Sequence, residues 1–593
     1  MKEDLWEKSK WIIGILLALL LIWSVTISTS FFADDLGFDF AGYAIRYDNT
    51  FSGWFKNHHF GVPVSVFDGW IPGVLPLLFK FIGFGIFTSP LALSLLLMKL
   101  MLILGIMIIA REYNVKSSTG FLIGTMIAVN PITWKFLNRY YELTAWVFFL
   151  FAAAFILRYL KNKSPSKSLF FAVVFSAIVL ISHAVPSFFL MIFVLFAVKP
   201  EANEIKKMFL LGTLALGLAF FWLGPFIAFL NFSAITGFDG TVLNTLGIKT
   251  SSTILIILLI IAGLLSFKFR LQENFSRETQ LLFLTVILSL IRFFLPKIPL
   301  INKPFTHSFH LFYLIILAVT FFALIESGKF SKTSFPKKYF ISIIVVVLIP
   351  GIFFLPKIIG NYSFVEPSFS EYSWEKKAVD FSEIDKLLKK IDKKERFEII
   401  PNDPIIDAYA TIHYDLTTAY AWGHNAFSIS DSEKKSRVFD FNENCNLFNA
   451  KSKEFGINKW LAINEKGFEQ LRKCGWLTDK SIAPALFNPP EEKNSIIENG
   501  KLLDYKNTYL KVEVKPPETL IKMNYFPKWK AYFEGKEIAL KIEQKNKFIV
   551  IPAEKEGIVE LKYEKGFVDY FSYFVSLLFL GLLFFIVKKK PFN

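Results

Sequence analysis

Phe31-Phe32-Ala33-Asp34-Asp35-Leu36-Gly37-Phe38-Asp39 closes the first long apolar run of this chain and sets three carboxylates just beyond it. An ionised carboxylate in hydrocarbon costs roughly 2.5 kcal/mol or more unless it meets a polar cavity or a partner. An acidic pair at the mouth of a span therefore marks a candidate site, with two solvated loop residues as the plainer alternative. The run itself, from Trp11 to Phe32, matches the thickness of a bilayer and lacks a convincing small-x-small cleavage site. It predicts a retained helix rather than a removed leader.

The rest of the composition agrees with that reading. Of 593 residues 53% are hydrophobic, 69 are Phe, and the mean hydropathy is +0.44. Such a chain is a polytopic membrane protein. The net charge of +16 falls between apolar runs and in a Lys-rich C-terminal region, with no basic, aromatic-interleaved recognition element. That pattern excludes a nucleic-acid partner and points to topology and membrane lipids.

Apolar spans are expected near 11–32, 90–110, 118–130, 143–160, 168–182, 186–198, 208–230, 252–267, 279–295, 308–326, 339–358 and 567–587. A further stretch, 71–87, carries Pro72, Pro76, Gly83 and Gly85. Positive charge clusters at the N-terminus, at Arg111 and Lys116, and at 158–167, 199–207, 268–277, 329–338 and 588–590. Every second gap is thus basic, and the positive-inside rule makes these segments cytoplasmic. The count closes at twelve crossings if 71–87 is re-entrant or interfacial, which prolines and glycines tolerate where protein surrounds them.

The opposite, outer face then receives the first loop 33–89, the 131–142 loop, the 183–185 turn, the 231–251 and 296–307 loops, and all of 359–566. It collects Asp34, Asp35, Asp39, Asp68, Arg139, Tyr140 and Glu142, and also His58, His59, His183, His307, His310, His413 and His424. A cavity at the outer membrane boundary is the economical site. His183 sits in the break between two spans, with Pro186 suited to a first helical turn, although a histidine satisfied by a neighbouring carbonyl is the commoner outcome. Asn138-Arg139-Tyr140-Tyr141-Glu142 reads either as site residues or as an interfacial aromatic belt with a snorkelling arginine. His307 and His310, at i and i+3, share a helix face and could approach one anion or one metal.

Beyond residue 358 the character changes. Residues 359–566 have no span-length apolar run and predict an extracytoplasmic domain of α/β type with a β-sandwich-like module near 505–566. A helix is expected over 381–394, a buried strand over 457–463 and a helix over 465–474. Alternation in Leu510-Lys511-Val512-Glu513-Val514 and in 558–563, with a turn at Phe533-Glu534-Gly535-Lys536, argues antiparallel strands. The span at 567–587 and the basic tail to 593 complete three regions: 1–358, 359–566 and 567–593. Cys445 and Cys474 either pair in an oxidising compartment or stay as two free buried thiols. No Walker loop, GxSxG elbow or HExxH is present, which argues against an ATP-driven pump, a serine hydrolase and a zincin.

Taken together, the acidic pair after the first span, the long first outer loop, the dozen spans and the outer domain resemble the GT-C superfamily of membrane glycosyltransferases. Within it the chain is similar to the YfhO-like polytopic proteins. The carrying residues are Asp34-Asp35, Arg139-Tyr140-Tyr141-Glu142, Ser182-His183, Phe455-Gly456-Ile457-Asn458-Lys459-Trp460 and the 526–536 segment with its proline, tryptophan, lysines and turn glycine. The WWDYG motif of oligosaccharyltransferases is absent. The resemblance implies transfer of a sugar from a polyprenyl-phosphate donor to a glycan, lipid or protein acceptor at the outer face of the cell membrane. Asp34 or Asp35 would be the general base or a ligand for a divalent cation such as Mg or Mn. Arg139, His183, His307 and His310 would hold the donor phosphate, supported by Tyr140, Glu142, His58 and His59. A lipid-linked glycan flippase and a non-catalytic envelope assembly protein are the competing readings.

Overall fold

The computed structural model describes residues 2–31, 90–129, 140–182, 184–199, 201–229, 303–326, 381–400, 414–418, 444–490 and 495–589, with isolated residues at 74–75, 78–79, 82, 284–285, 288, 406 and 410. The membrane part contains α1 (Lys2–Phe31), α2 (Pro90–Glu112), α3 (Ser117–Ala128), α4 (Tyr140–Leu160), α5 (Pro165–Ser182), α6 (Ala184–Ala197), α7 (Ala202–Leu218), α8 (Phe220–Ala228) and α9 (Lys303–Glu326). Among the described residues four helices are long and apolar enough to cross a membrane: Leu93–Glu112, Glu142–Leu160, Pro165–Ser182 and Phe567–Lys589. The bent pair α7–α8 makes a possible fifth. Of the twelve expected spans, those at 252–267 and 339–358 and nearly all of 279–295 lie outside the described residues, as does most of 71–87.

Short turns make successive helices antiparallel. Pro165 takes the first helical position of α5, where its missing N–H costs nothing. The α2–α3 pair packs closely because Gly120 and Gly124 present no side chain. A Cβ on Gly124 would lie 2.9 Å from the Ile103 carbonyl oxygen, so this small-xxx-small face lets two backbones touch.

The run at 208–230 reads as one span, and the structure breaks it. The axis turns by 68° at Ala219 between α7 and α8. A break in hydrocarbon frees backbone groups that must find partners. The last helix supplies them: Ser576 Oγ accepts from the Phe221 N–H at 2.7 Å and donates to the Gly217 carbonyl at 3.2 Å. The approach requires glycine, since a Cβ on Gly217 would fall 2.2 Å from the Phe579 ring. Ser576→Ala should therefore cost about 1 kcal/mol locally, read as faster hydrogen exchange at the Phe221 amide. Unchanged exchange there would remove the serine from this account.

Among the described residues the C-terminal region begins with α10 (Phe381–Leu388), β1 (Arg396–Ile400) and β2 (Thr417–Thr418). It continues through α11 (Cys445–Glu454), β3 (Ile457–Ala462), α12 (Glu465–Lys473) and β4 (Ala485–Phe487). The sheet runs β2-β1-β3-β4, with the first three strands parallel and β4 antiparallel. Both faces of β1 and β3 are covered, as parallel strands require. Phe397, Ile399 and Leu461 meet α10, and Ile457 and Trp460 meet α11 and α12. The helix expected to reach 394 stops at Leu388, where the chain turns to bring Ile391 into the core. Cys445 and Cys474 form a disulfide.

Nine strands follow: β5 (Ile497–Glu498), β6 (Gly500–Lys506), β7 (Tyr509–Val514), β8 (Glu518–Asn524), β9 (Trp529–Phe533), β10 (Lys536–Ile538), β11 (Lys541–Ile542), β12 (Phe548–Pro552) and β13 (Gly557–Tyr563). They form two sheets, β10-β9-β13-β7-β6 and β11-β12-β8-β5. The inward residues of the alternating strands, among them Val512, Val514, Ile521, Ile551, Val559 and Leu561, fill the space between. The β9–β10 hairpin turns through Glu534 and Gly535, at φ of 50° and 80°, which suits a glycine. The final helix, α13 (Phe567–Lys589), leaves the sandwich and packs along α8, α7 and α5.

Candidate active site

Polar contacts at one end of the bundle establish which helix termini share a face. Glu326 at the end of α9 accepts from the Lys116 N–H and the Thr119 hydroxyl and lies 3.6 Å from Lys10 Nζ. Arg158 near the end of α4 meets Glu112 at the end of α2. Lys207 of α7 donates to Asn162 Oδ1 at 2.5 Å, and Phe170 of α5 meets Phe584 of α13 with ring centroids 5.5 Å apart. This end therefore carries Lys10, Lys116, Arg158, Lys163, Lys207 and Lys589. The sandwich joins the other end of α13.

At that other end the starts of α4, α6 and α9 gather. Trp146 lies 5.6 Å from Phe189 and 6.1 Å from Phe312 between ring centroids, and Phe189 and Phe312 are 4.9 Å apart. Phe149 adds edge contacts to Phe193 and Phe312. Three side chains from three helices thus hold the first turns of α4, α6 and α9 against one another. Tyr140 opens α4 and Glu142 lies in its first turn, one turn before Trp146 and 1% exposed. His307 and His310 lie in the first turns of α9, His310 two residues before Phe312. The side chains of Tyr140, His307 and His310 lie outside the described residues. So do Asp34, Asp35, His58, His59, Arg139 and His183 entirely, although α5 ends at Ser182 and α6 starts at Ala184. The bundle brings together the helices bearing the arginine–tyrosine–glutamate segment, the histidine break and the histidine pair. It does not describe the acidic pair.

One charged group stands out in the sequence only as a charge within an apolar stretch, alongside Lys80 and Arg292. Lys99 is fully buried in α2, and its Nζ donates to the Ala128 carbonyl at the end of α3 at 3.3 Å. The position is about 14 Å along the helix from Pro90, in the half of the bundle nearer the gathered helix starts. The signal was a lone lysine in a leucine-rich run, since a charge in a span is a functional candidate by default. Among the described residues no three His, Cys, Asp or Glu side chains group closely enough to hold a metal ion.

No protein-family model matches the chain, and no curated protein sequence matches it. Among solved structures, it is similar to the cryo-EM structure of the arabinofuranosyltransferase AftD from Mycobacteria, with 12% identity and a TM-score of 0.48. That superposition covers 85% of this chain and 42% of AftD, so the chain spans less than half the length of that protein. A likeness of this degree carries no inference about activity. The resemblance to YfhO-like proteins rests on the residues alone.

Proposed function

We propose that the chain is a GT-C-type membrane glycosyltransferase that moves a sugar from a polyprenyl phosphate to a glycan, lipid or protein acceptor at the outer face of the cell membrane. The observation that carries this reading is the Trp146–Phe189–Phe312 clamp, which gathers the starts of α4, α6 and α9 at the end of the bundle away from the basic face. Under the positive-inside rule that basic face is cytoplasmic and the gathered end is outside. The Cys445–Cys474 disulfide suits an oxidising compartment for the C-terminal region.

In this mechanism Asp34 or Asp35 takes the proton of the acceptor hydroxyl. The hydroxyl oxygen forms a bond to the anomeric carbon, and the bond from that carbon to the phosphate oxygen breaks, its electron pair leaving with the lipid phosphate. Arg139, His183, His307 and His310 hold the departing phosphate, arginine being suited to a bidentate grip. Tyr140, Glu142, His58 and His59 support them. A divalent cation, if bound by Asp34 and Asp35, would neutralise phosphate charge. The donor carries no nucleotide, consistent with the missing glycine-rich phosphate loop.

Lys99 is the observation that favours transport of a lipid-linked glycan, because charges deep in spans line transport paths. A transfer assay separates the two. Purified protein in lipid is offered a panel of radiolabelled polyprenyl-phosphate sugars, and label is expected to reach acceptor or water with wild type and not with the Asp34→Asn/Asp35→Asn variant. Donor binding without release by wild type would overturn the enzyme reading in favour of transport or assembly.

A further inference from the structure

The basic face holds a cluster that the proposed reaction does not use. Glu112, with a side chain 3% exposed, accepts from Arg158 Nε at 2.6 Å through Oε1. Lys161 Nζ donates to the Glu112 backbone carbonyl and stands 3.8 Å from Oε2, and Lys163 Nζ stands 3.7 Å from Oε2. Three cations thus face one carboxylate, an excess of two positive charges in one place. Lys207 adds another through Asn162. Rings fix several of these side chains: Arg158 lies over Phe155 at 5.1 Å, Lys161 over Tyr113 at 5.9 Å and Lys207 over Tyr159 at 5.6 Å. A compact turn, with Asn162 and Ser164 at φ of 56° and 48°, holds Lys161 and Lys163 between α4 and α5. Less side-chain freedom is then lost when an anion binds.

The depth of the cluster identifies the anion's source. Glu112 and Leu160 end two candidate spans and Pro165 begins a third, so the cations sit at headgroup level. Above them on α4 and α5, Phe155 and Phe171 meet with ring centroids 5.0 Å apart, and Phe171 is 39% exposed. Cations at the headgroup layer beneath an exposed aromatic surface match a phosphate that carries acyl chains. We propose that Arg158, Lys161, Lys163 and Lys207 form a binding site for the headgroup phosphate of an anionic phospholipid. The proposal is independent of the transfer reading.

The test uses the full chain in nanodiscs, with spin-labelled phosphatidylglycerol or phosphatidylcholine and the immobilised fraction measured by electron paramagnetic resonance. Wild type is expected to retain phosphatidylglycerol preferentially, and Lys161→Gln/Lys163→Gln to weaken that preference roughly tenfold. Lys588→Gln/Lys589→Gln, which removes the same charge elsewhere on the face, is expected to leave it intact. Lys163→Gln alone, at a side chain 57% exposed, gives the same direction of change with less risk to folding. Equal retention of the two lipids by wild type would overturn the proposal, and so would equal losses from the two lysine pairs. Displacement of the label by inorganic phosphate would assign the site to a free anion and overturn the lipid.

Discussion

Arg396→Met is expected to destabilise the C-terminal region by about 3 to 5 kcal/mol, because the side chain is fully buried and ties the α/β layer to the sandwich. Its Nη1 donates to the Phe455 carbonyl at 2.6 Å and its Nη2 to the Lys522 carbonyl at 2.9 Å. One carbonyl ends α11 in the α/β layer and the other lies in β8 of the sandwich. Methionine fills much of the volume but leaves both acceptors dry, each at a cost of about 1 to 3 kcal/mol. Burial lowers the guanidinium to about 10 and holds the adjoining Tyr505 phenol up to about 12. At neutral pH a charged arginine therefore meets a neutral tyrosine. Arg396→Lys keeps the charge but cannot fork, so it should recover only part of the loss. Urea unfolding followed by the fluorescence of Trp460, Trp476 and Trp529 reads the effect. An unchanged midpoint in the methionine variant would mean that both carbonyls find other donors.

Asp569→Ala should loosen the sandwich from the membrane helices by about 3 to 5 kcal/mol. Asp569 opens α13 and Lys528 precedes β9, and their side chains, 4% and 5% exposed, meet at 2.5 Å. The second carboxylate oxygen accepts from the Gly566 N–H at 2.9 Å. Lys528 also lies 5.3 Å over the Phe229 ring, whose centroid is 5.2 Å from that of Phe526. The pair thus seats the sandwich on the end of the broken span. Burial lowers the Lys528 pKa and Asp569 opposes that shift, so the ammonium depends on its partner. Removing the carboxylate alone leaves a buried charge uncompensated. Lys528→Met/Asp569→Leu removes both charges and should regain most of the loss, as buried pairs replaced by apolar groups do. Limited proteolysis between α8 and the sandwich reports the docking. A double variant as weak as the single one would show that the charge was not the cause.

Hydropathy and alternation are properties of neighbours along the chain, and what depends on them was legible. The apolar runs at 90–110, 143–160 and 567–587 became helices, and alternation at 510–514 and 558–563 became β7 and β13 because each pattern matches one period of backbone geometry. The hairpin at 533–536 followed from its glycine. The first strand of the sandwich, Ile497–Glu498, escaped notice because two residues hold no period.

The candidate site is nominated from the sequence as residue types, and the helices α4, α6 and α9 that start beside three of its segments do converge. That convergence depends on Trp146, Phe189 and Phe312, three rings among 69 phenylalanines and 13 tryptophans that no local pattern distinguishes. The break at Ala219 lies in an unbroken apolar run, and Ser576, which meets the Phe221 amide beside it, is 355 positions beyond that residue. The pairing of Cys445 with Cys474 stood open between two chemistries. Lys99 was visible as a charge but not as a buried one, and Lys528 entered only as one lysine of the 526–536 segment, with no local pattern tying it to Asp569. Local composition determines which segments are helix, strand or span, because those energies sum over adjacent residues. Which buried groups meet is decided by packing, because the cost of an unpaired charge or a freed backbone amide is met by atoms distant in the chain.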